Sequence, residues 1–286
     1  MKTIHTMVFK AGKGGGNPCP VTLDADTLSS QQMQEITQRY GEEAIFLMSP
    51  TRPDCDIRAR YFVPLHEMSM CIHATIGAAT VLVREERFKK TPIVFETGLG
   101  PIQVEWTRNG DQIDVGVMQF LPEYKSDVPS REEVCRALNV APAQLGDGPI
   151  LSAATSRFKL IVPLTNKDTV DRLAPDFEYL WTLCDQYDVS GFYPFTLDKS
   201  QSTPVCYARQ YPNRAGYNED PATGVAASAL GAYLIDQGLI AAKNGWNRCT
   251  VYQGEAMGKP SVIFAHTLVE NHSIVGTKVS GDAVLE

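Results

Sequence analysis

Two nine-residue segments, separated by about half the length of the chain, are similar to each other and rich in small residues. Residues 74–82 read ATIGAATVL and residues 222–230 read ATGVAASAL, with Ala, Thr, Ala, Ala and Leu at the same positions. A repeat distance this long is not that of a solenoid, and it predicts two related halves. The small side chains predict two helices that another backbone or a ligand can approach closely.

Each segment is preceded by residues that predict the start of a helix. Asp220 is predicted to cap the second helix with Pro221 at its first position, where the N–H that proline lacks would be unpaired anyway. We expect this helix over Ala222–Gln237, ended by Gly238, and the other over Ala74–Arg87. Helix N-termini bind carboxylates and phosphates, so two of them facing one place predict an anion site. The small residues are predicted to let a substrate carboxylate reach both.

The composition limits the class of protein. At 286 residues with 43% hydrophobic residues, the chain can bury one large core or two smaller ones. The net charge of −7 and the lack of a long basic run argue against nucleic acid and anionic membranes as partners. No apolar run reaches about 18 residues, and the first residues lack the apolar core of a signal peptide. Seven cysteines without paired spacing favour a reducing cytoplasm.

Short strands outnumber helices along the chain, which predicts the α+β class. Besides the two small-residue helices, helices are expected at Ser29–Tyr40, after the capping box Ser130–Glu133, and at Asp176–Tyr187. The strands are predicted at Ile4–Phe9, Ala44–Met48, Ile57–Phe62, Ile93–Glu96, Ile102–Trp106, Ile113–Gln119, Lys159–Pro163, Gly191–Thr196, Val205–Tyr211, Thr250–Gln253, Ser261–Ala265, Ile274–Val279 and Ala283–Leu285.

Five short motifs follow one another along the chain: GNPCPV at residues 16–21, GEEAIFL at 41–47, RYFVP at 60–64, CIHATIGA at 71–78 and EDPATG at 219–224. In this order and at this spacing they resemble the motifs GNP-x-x-V, S-E-T-x-F-L, R-x-F-x-P, CGHATLGA and EDPVTG. These are the motifs of the PhzF-like phenazine-biosynthesis family, which has the diaminopimelate-epimerase fold. The resemblance covers most of the chain.

The resemblance implies two pseudo-symmetric domains, each a β-barrel-like antiparallel or mixed sheet around a central helix, with the active site in the cleft between them. We expect the first domain over residues 1–120, with residues 277–286 returning to it, and the second over residues 121–276. The resemblance also implies a homodimer that binds a small carboxylate and uses no cofactor and no metal.

The resemblance assigns three catalytic residues, Glu43, His73 and Asp220. Because strand side chains alternate, Glu43 is expected on the face that buries Ile45, inside an apolar cleft, whereas Glu42 points away. Such a cleft favours the protonated form of Glu43, which could then give and take a proton near neutral pH. Other interpretations stay open, namely a solvated Glu43, a packing role for His73 and a helix cap for Asp220.

The same motifs imply a set of substrate contacts around these three residues. Two positions depart from the family, since Val225 stands where members commonly carry Ser and Ile72 stands where they have Gly. The site loses one hydroxyl, and Ile72 either narrows it or changes how backbone N–H groups approach it, so the substrate of the phenazine pathway is not assigned to this chain. The predicted substrate-binding residues are Asn17, Cys71, Ala74, Thr75, Glu219, Thr223, Gly224 and Val225.

Cys71 raises a different possibility. Racemases and epimerases of the same fold place one thiol at this position and another at the start of the second helix, where this chain has Thr223. One of the two thiols is missing, so a small buried residue is the simpler interpretation of Cys71. A zinc site that begins with His66 and Glu67 is not supported, because the second histidine of the HExxH motif is absent.

Three functions are compatible with these residues. The main prediction is a cofactor-independent isomerase in which Glu43 moves a proton between carbons on one face of a small, cyclic or unsaturated carboxylate. The first alternative is an amino-acid racemase or epimerase that uses Cys71 with a non-thiol partner. The second is a non-catalytic metabolite-binding protein of the same fold. The complete catalytic set favours an enzyme, and Val225 is compatible with the binding protein.

Overall fold

The computed structural model describes residues 2–201 and 203–286. Its helices are α1 (Ser30–Tyr40), α2 (Ile72–Arg84), α3 (Arg131–Leu138), α4 (Lys167–Asp171), α5 (Phe177–Gln186) and α6 (Gly224–Asp236). Its strands are β1 (Lys2–Val8), β2 (Asn17–Leu23), β3 (Ala44–Met48), β4 (Ile57–Phe62), β5 (Glu67–Met68), β6 (Ile93–Thr97), β7 (Gly100–Asn109), β8 (Gln112–Gln119), β9 (Glu123–Lys125), β10 (Leu151–Ala154), β11 (Lys159–Pro163), β12 (Gly191–Asp198), β13 (Val205–Ala208), β14 (Tyr211–Pro212), β15 (Gly245–Gln253), β16 (Ser261–Glu270) and β17 (Ser273–Leu285).

Seven strands of the first half and the C-terminal strand β17 close into a barrel around α2. The pairing runs through β1, β2, β3, β4, β6, β7, β8 and β17 and returns to β1. Every residue of α2 from Ile72 to Val83 is buried inside. Small residues make this possible: a Cβ added to Gly77 would lie 2.5 Å from Thr6 Oγ1 on the barrel wall.

The second half wraps a similar run of strands around α6, although no pairing among the described residues joins its first and last strands. Its pairing runs through β9, β10, β11, β12, β13, β15, β16 and β17. The α6 helix is buried from Gly224 to Leu234, and at Gly231 it lies against the barrel strand β16, where a Cβ would be 3.1 Å from Ala265. The long strand β17 pairs with β16 and also with β8 and β1, so it joins the two halves.

The predicted α+β class with two pseudo-symmetric halves is confirmed, and β3, β4 and β11 have the predicted bounds. Helix α1 is capped by Ser29 and ended by Gly41 at φ 69°, and Ser130 forms the predicted capping box. Within the described residues, no helix is both long enough and apolar enough to cross a membrane. The domain boundaries, the homodimer and the cytoplasmic location stay predictions.

Several predicted bounds were wrong. The α6 helix begins at Gly224 with Thr223 at the cap position, so Asp220 does not cap it. Asp220 instead forms an isolated antiparallel bridge with Gln210, which keeps its backbone extended. The α2 helix begins two residues earlier than predicted and ends at Arg84. The strand predicted at Val205–Tyr211 is two strands, the last two predicted strands are one, and β2, β5, β9 and β10 were not predicted.

Candidate active site

The helices α2 and α6 meet at their N-terminal ends, as predicted. Cys71 and Thr223 hold the two cap positions, and neither side chain bonds to its own helix. Ile72 lies between the helices, since a Cβ added to Gly224 would be only 2.6 Å from Ile72 Cγ2. The side chain of Ile72 therefore narrows the space between the helix starts, and the binding of a carboxylate by both of them stays a prediction.

Glu43 precedes β3 and reaches the start of α2. Its side chain is 11% exposed. The Cys71 thiol donates to Oε2 of Glu43 at 3.0 Å, and the Tyr217 hydroxyl donates to Oε1. Nδ1 of His73 lies 3.7 Å from Oε2. Ile45 lies in the core around α2, so Glu43 has the register that strand alternation predicts.

Asn17, the first residue of β2, connects the two helix starts. Its Nδ2 donates to Asp220 Oδ1 at 2.7 Å and to the carbonyl of Ala222 at 3.0 Å. The same nitrogen lies 3.5 Å from Nδ1 of His73, which in turn lies 3.1 Å from the sulfur of Cys71. A continuous chain of polar contacts therefore runs from Glu43 on the α2 side to Asp220 on the α6 side.

Asp220 is buried and held from several directions. The Thr223 hydroxyl donates to its Oδ2. Nε2 of Gln253 donates to the backbone carbonyl of Asp220 at 2.7 Å and contacts Oγ1 of Thr223 at 3.1 Å. Thr223 thus fixes the carboxyl group of Asp220, while its own backbone N–H donates to Gln253 at 3.3 Å.

The surroundings shift the pKa values of the two carboxyl groups of the site in opposite directions. Burial raises the pKa of Asp220 to about 6, and the charge of Glu43 adds to this rise. Burial also acts to raise the pKa of Glu43, but the charge of His73 and the hydrogen bonds from Cys71 and Tyr217 outweigh it, so the pKa falls below its ordinary value. The expectation of a protonated Glu43 was wrong, because its surroundings are polar.

Cys71 is a hydrogen-bond donor in this cluster. Burial and the neighbouring charge of Glu43 raise the pKa of its thiol well above the ordinary value, which keeps it protonated. Glu43, Cys71 and His73 each have a side-chain atom that can bind a metal, and these three atoms lie within 4.8 Å of one another. Their geometry alone could therefore also hold a metal ion. A metal would have to displace the thiol proton first. The absence of a metal requirement stays a prediction.

The remaining predicted substrate-binding residues lie at or near the two helix starts. Ala74 is buried in the first turn of α2, and Thr75 Oγ1 donates to the Cys71 carbonyl at 2.7 Å. Val225 is buried in the first turn of α6. Glu219 binds Arg209 through two hydrogen bonds of 2.8 and 2.7 Å.

Sequence reasoning missed Tyr217 and Gln253. Tyr217 lies two residues before Glu219, so the EDPATG motif marks its neighbourhood, whereas Gln253 carries no local signal. A cavity of about 210 Å³ opens beside the cluster and gives a small molecule access to it. Its lining residues are Asn17, Glu43, Tyr217, Asp220, Met257 and Lys259, among others.

Comparison with known proteins identifies the family. The family described as phenazine biosynthesis-like protein, PhzC-PhzF, matches residues 7–286. The chain belongs to this family. An uncharacterized isomerase of Clostridium acetobutylicum is 30% identical over 281 residues, which is 97% of this chain and 93% of the relative. The uncharacterized isomerase YddE of Salmonella typhimurium is 30% identical over 287 residues, which is 98% of this chain and 95% of the relative.

Solved structures agree with this family. A phenazine biosynthesis protein of the PhzF family from Bacillus anthracis has a TM-score of 0.87 at 26% identity, covering 100% of this chain and 97% of that one. A hydroxyproline epimerase from Agrobacterium vitis has a TM-score of 0.68 at 12% identity, covering 100% and 90%, a likeness of fold alone. The prediction of an enzyme of the isomerase class is confirmed at the level of the family.

Proposed function

We propose that the protein is a cofactor-independent isomerase that moves a proton between two carbon atoms of a small carboxylate substrate. The named isomerases among its relatives support the reaction class. The observation that carries the proposal is the pair of buried carboxyl groups on opposite sides of one polar cluster, with the pKa of Glu43 lowered and the pKa of Asp220 raised to about 6. Two carboxyl groups whose environments separate their pKa values are suited to base and acid roles.

Glu43 is the base in this proposal. Its ionised carboxylate removes a proton from a carbon of an unsaturated carboxylate, and the electrons of the broken C–H bond form a new double bond as the old one shifts. The protonated Glu43 then returns the proton to the other carbon, so Glu43 ends in its starting state. No electron is gained or lost, and one base acts on one face of the substrate.

Asp220 and His73 act on the substrate rather than on the moving proton. A protonated Asp220 can donate a hydrogen bond to a substrate oxygen on which negative charge develops. Nε2 of His73 is buried and has no hydrogen-bond partner among the described residues. Buried polar atoms are rarely left unpaired, so a substrate atom is a fitting partner for it. The cavity beside Glu43 and Tyr217 is the entrance.

The structure favours this reaction over a two-thiol racemisation. Such a reaction needs a base on each face of the substrate, one at each helix start. Cys71 is a protonated donor to Glu43, and the equivalent cap position on α6 holds Thr223, whose hydroxyl is used by Asp220.

Solvent deuterium tests the proposal. The protein is incubated in D₂O with small unsaturated carboxylates, 3-butenoate and cyclohex-2-ene carboxylate among them, and exchange at carbon is followed by NMR. We expect exchange with the wild type and a loss of about 10²–10⁴-fold in Glu43→Gln, the size of a lost general base. Glu132→Gln, at an exposed position outside the cavity, is the control and should exchange at the wild-type rate, and Glu42→Gln, at the cavity wall, should lose far less activity than Glu43→Gln. Loss of activity in Glu42→Gln, together with normal activity in Glu43→Gln, would contradict the assignment.

A further inference from the structure

Lys159 is a buried cation at the start of β11. Its side chain is almost completely buried, and Nζ donates to the backbone carbonyl of Ser190 at 3.0 Å. That carbonyl is neutral, and among the described residues no carboxylate forms an ion pair with Nζ, although the charges of Asp220 and Glu43 act on it from farther away. An ammonium group can donate three hydrogen bonds, and burying it without a counter-ion is costly. A position of this kind is typical of a cation that meets its partner only when a ligand binds.

The interior residues of β12 show where Lys159 lies. Phe195 packs against Tyr233 near the end of α6, with ring centroids 5.9 Å apart. Two residues earlier, the Tyr193 hydroxyl donates at 3.0 Å to Gln253, which contacts the start of α6. The next interior position is Gly191, beyond the helix start, and the register of β11 and β12 places it beside Lys159. Lys159 therefore lies at the mouth of the second barrel, where the two helices meet.

Gln210 supplies an independent observation at the same place. It is 1% exposed, and neither its Nε2 nor its Oε1 has a partner among the described residues. Its bridge to Asp220 is antiparallel, so the two side chains lie on the same face. Its Nε2 is only 2.6 Å from where a Cβ of Gly191 would be. The unpaired amide therefore lies next to Asp220 and next to the glycine that neighbours Lys159.

We propose that Lys159 and Gln210 form a second anion subsite beside Asp220, which binds a second carboxylate of the substrate. This inference rests on the proposed function and narrows its substrate class to dicarboxylates. The ammonium and the amide N–H can each donate to one carboxylate oxygen, and binding would supply partners for a cation and an amide that otherwise lack them. Leaving buried polar groups without partners costs free energy, so the free protein keeps both groups at a cost to its stability.

Two further features agree with this subsite. Ile72 narrows the space between the helix starts, which leaves less room there for a carboxylate and favours a further partner elsewhere. The raised pKa of Asp220 leaves that neighbour partly uncharged near neutral pH, which reduces its repulsion of an incoming carboxylate.

Burial lowers the pKa of Lys159 to about 7, and the neighbouring charge of Arg157 adds to this effect. Lys159 is thus charged in mildly acidic solution.

Matched ligands test the subsite without knowledge of the natural substrate. Succinate and butyrate have the same chain length, and a methyl group replaces one carboxylate in butyrate. We expect the full-length wild type at pH 6 to bind succinate at least about tenfold more tightly than butyrate in NMR titrations. Lys159→Met should bind both equally, with the affinity for butyrate unchanged. Lys243→Met, at an exposed position, is the control and should keep the preference.

Stability separates ligand binding from a structural role. Lys159→Met removes a buried charge, so the Tm of the free protein should rise, whereas a structural lysine would lower it. Gln210→Met is the second variant, and it should also reduce the preference for succinate. Equal binding of both ligands by the wild type would overturn the subsite but leave the isomerase in place. A lower Tm with equal weakening of both ligands would also overturn it. If neither ligand binds, the subsite and the carboxylate substrate class both fail.

Discussion

The two helix starts occupy equivalent places in two similar barrels, yet their chemistry differs. At the start of α2, a thiol and an imidazole surround Glu43, whose pKa is lowered. At the start of α6, a hydroxyl and the amide of Asn17 hold Asp220, whose pKa is raised to about 6. The duplicated scaffold therefore supplies two equivalent positions whose carboxyl groups have different surroundings. This asymmetry agrees with the single-base proton transfer that we propose.

The contact between the helix starts is the place where the largest change in stability is expected. Ile72→Ala should lower the free energy of unfolding by about 2–5 kcal/mol, because it removes a buried side chain from between the helices. Ile76→Ala, one turn further along α2, is the control and should cost a similar amount. Chemical denaturation measures both.

A double-mutant cycle then isolates the contact. Gly224→Ala should cost about 1–3 kcal/mol in the wild type, since its Cβ would press on Ile72. In Ile72→Ala it should be nearly neutral, and in Ile76→Ala it should keep its full cost. Additive costs in the Ile72→Ala background would show that the two helix starts do not touch.

Asp220 should make stability depend on pH. Its pKa is raised in the folded protein, so the unfolded chain loses this proton first as the pH rises. The contribution of Asp220 therefore falls between about pH 4 and pH 6, by an amount on the order of 2–3 kcal/mol. Urea unfolding of the wild type and of Asp220→Asn across this range gives the difference. A difference that stays flat with pH would place the pKa of Asp220 near its ordinary value.

Tyr217 should act through the base that it touches. Tyr217→Phe removes one donor from Glu43, so the pKa of Glu43 should rise and kcat should fall about 10–100-fold, the size of a hydrogen bond to a charged group. The acidic limb of the pH–rate profile should move to higher pH, which a purely structural role would not cause. If kcat falls but the acidic limb of the pH–rate profile stays at the same pH, Tyr217 does not act through the pKa of Glu43 and has only a packing role.

The smallest effect is expected at the thiol. Cys71→Ser keeps a hydrogen-bond donor near Glu43, so activity should stay within about tenfold of the wild type. Thr223→Cys, which restores the second thiol of the racemase pattern, should not produce racemisation of proline or hydroxyproline. Complete loss of activity in a folded Cys71→Ser would favour the racemase instead.

Strands bounded by clear turns were predictable, and β2 was not. Ala44–Met48 and Ile57–Phe62 match their predictions because apolar side chains and turns mark their ends. The strand β2 contains Pro18 and Pro20, and proline in a run argues against a strand. In the structure, β2 pairs with β1 on one side and with β3 on the other, and the β3 pairing begins only at Val21. Both prolines therefore lie where the side of β2 that faces β3 has no partner.

The internal repeat predicted the two helices but not their register. The similar segments begin at residues 74 and 222, whereas the helices begin at Ile72 and Gly224, so the sequence match is about one helical turn out of step with the structure. Small residues recur because both helices must fit inside a barrel. Glu43, His73 and Asp220 come together as the resemblance implied. Lys159 and Gln210 could not be found from the sequence, because their proximity depends on the pairing of remote strands.

The protonation of the two carboxyl groups is the most direct test of this account. Carbon-13 NMR of labelled Glu and Asp side chains, assigned with Glu43→Gln and Asp220→Asn, reports both titrations in the folded protein. The account predicts that Asp220 titrates near pH 6 and that Glu43 stays ionised to a pH below its ordinary range. A proton on Glu43 at pH 7 beside an ionised Asp220 would contradict it, because the base and the acid would then have exchanged places.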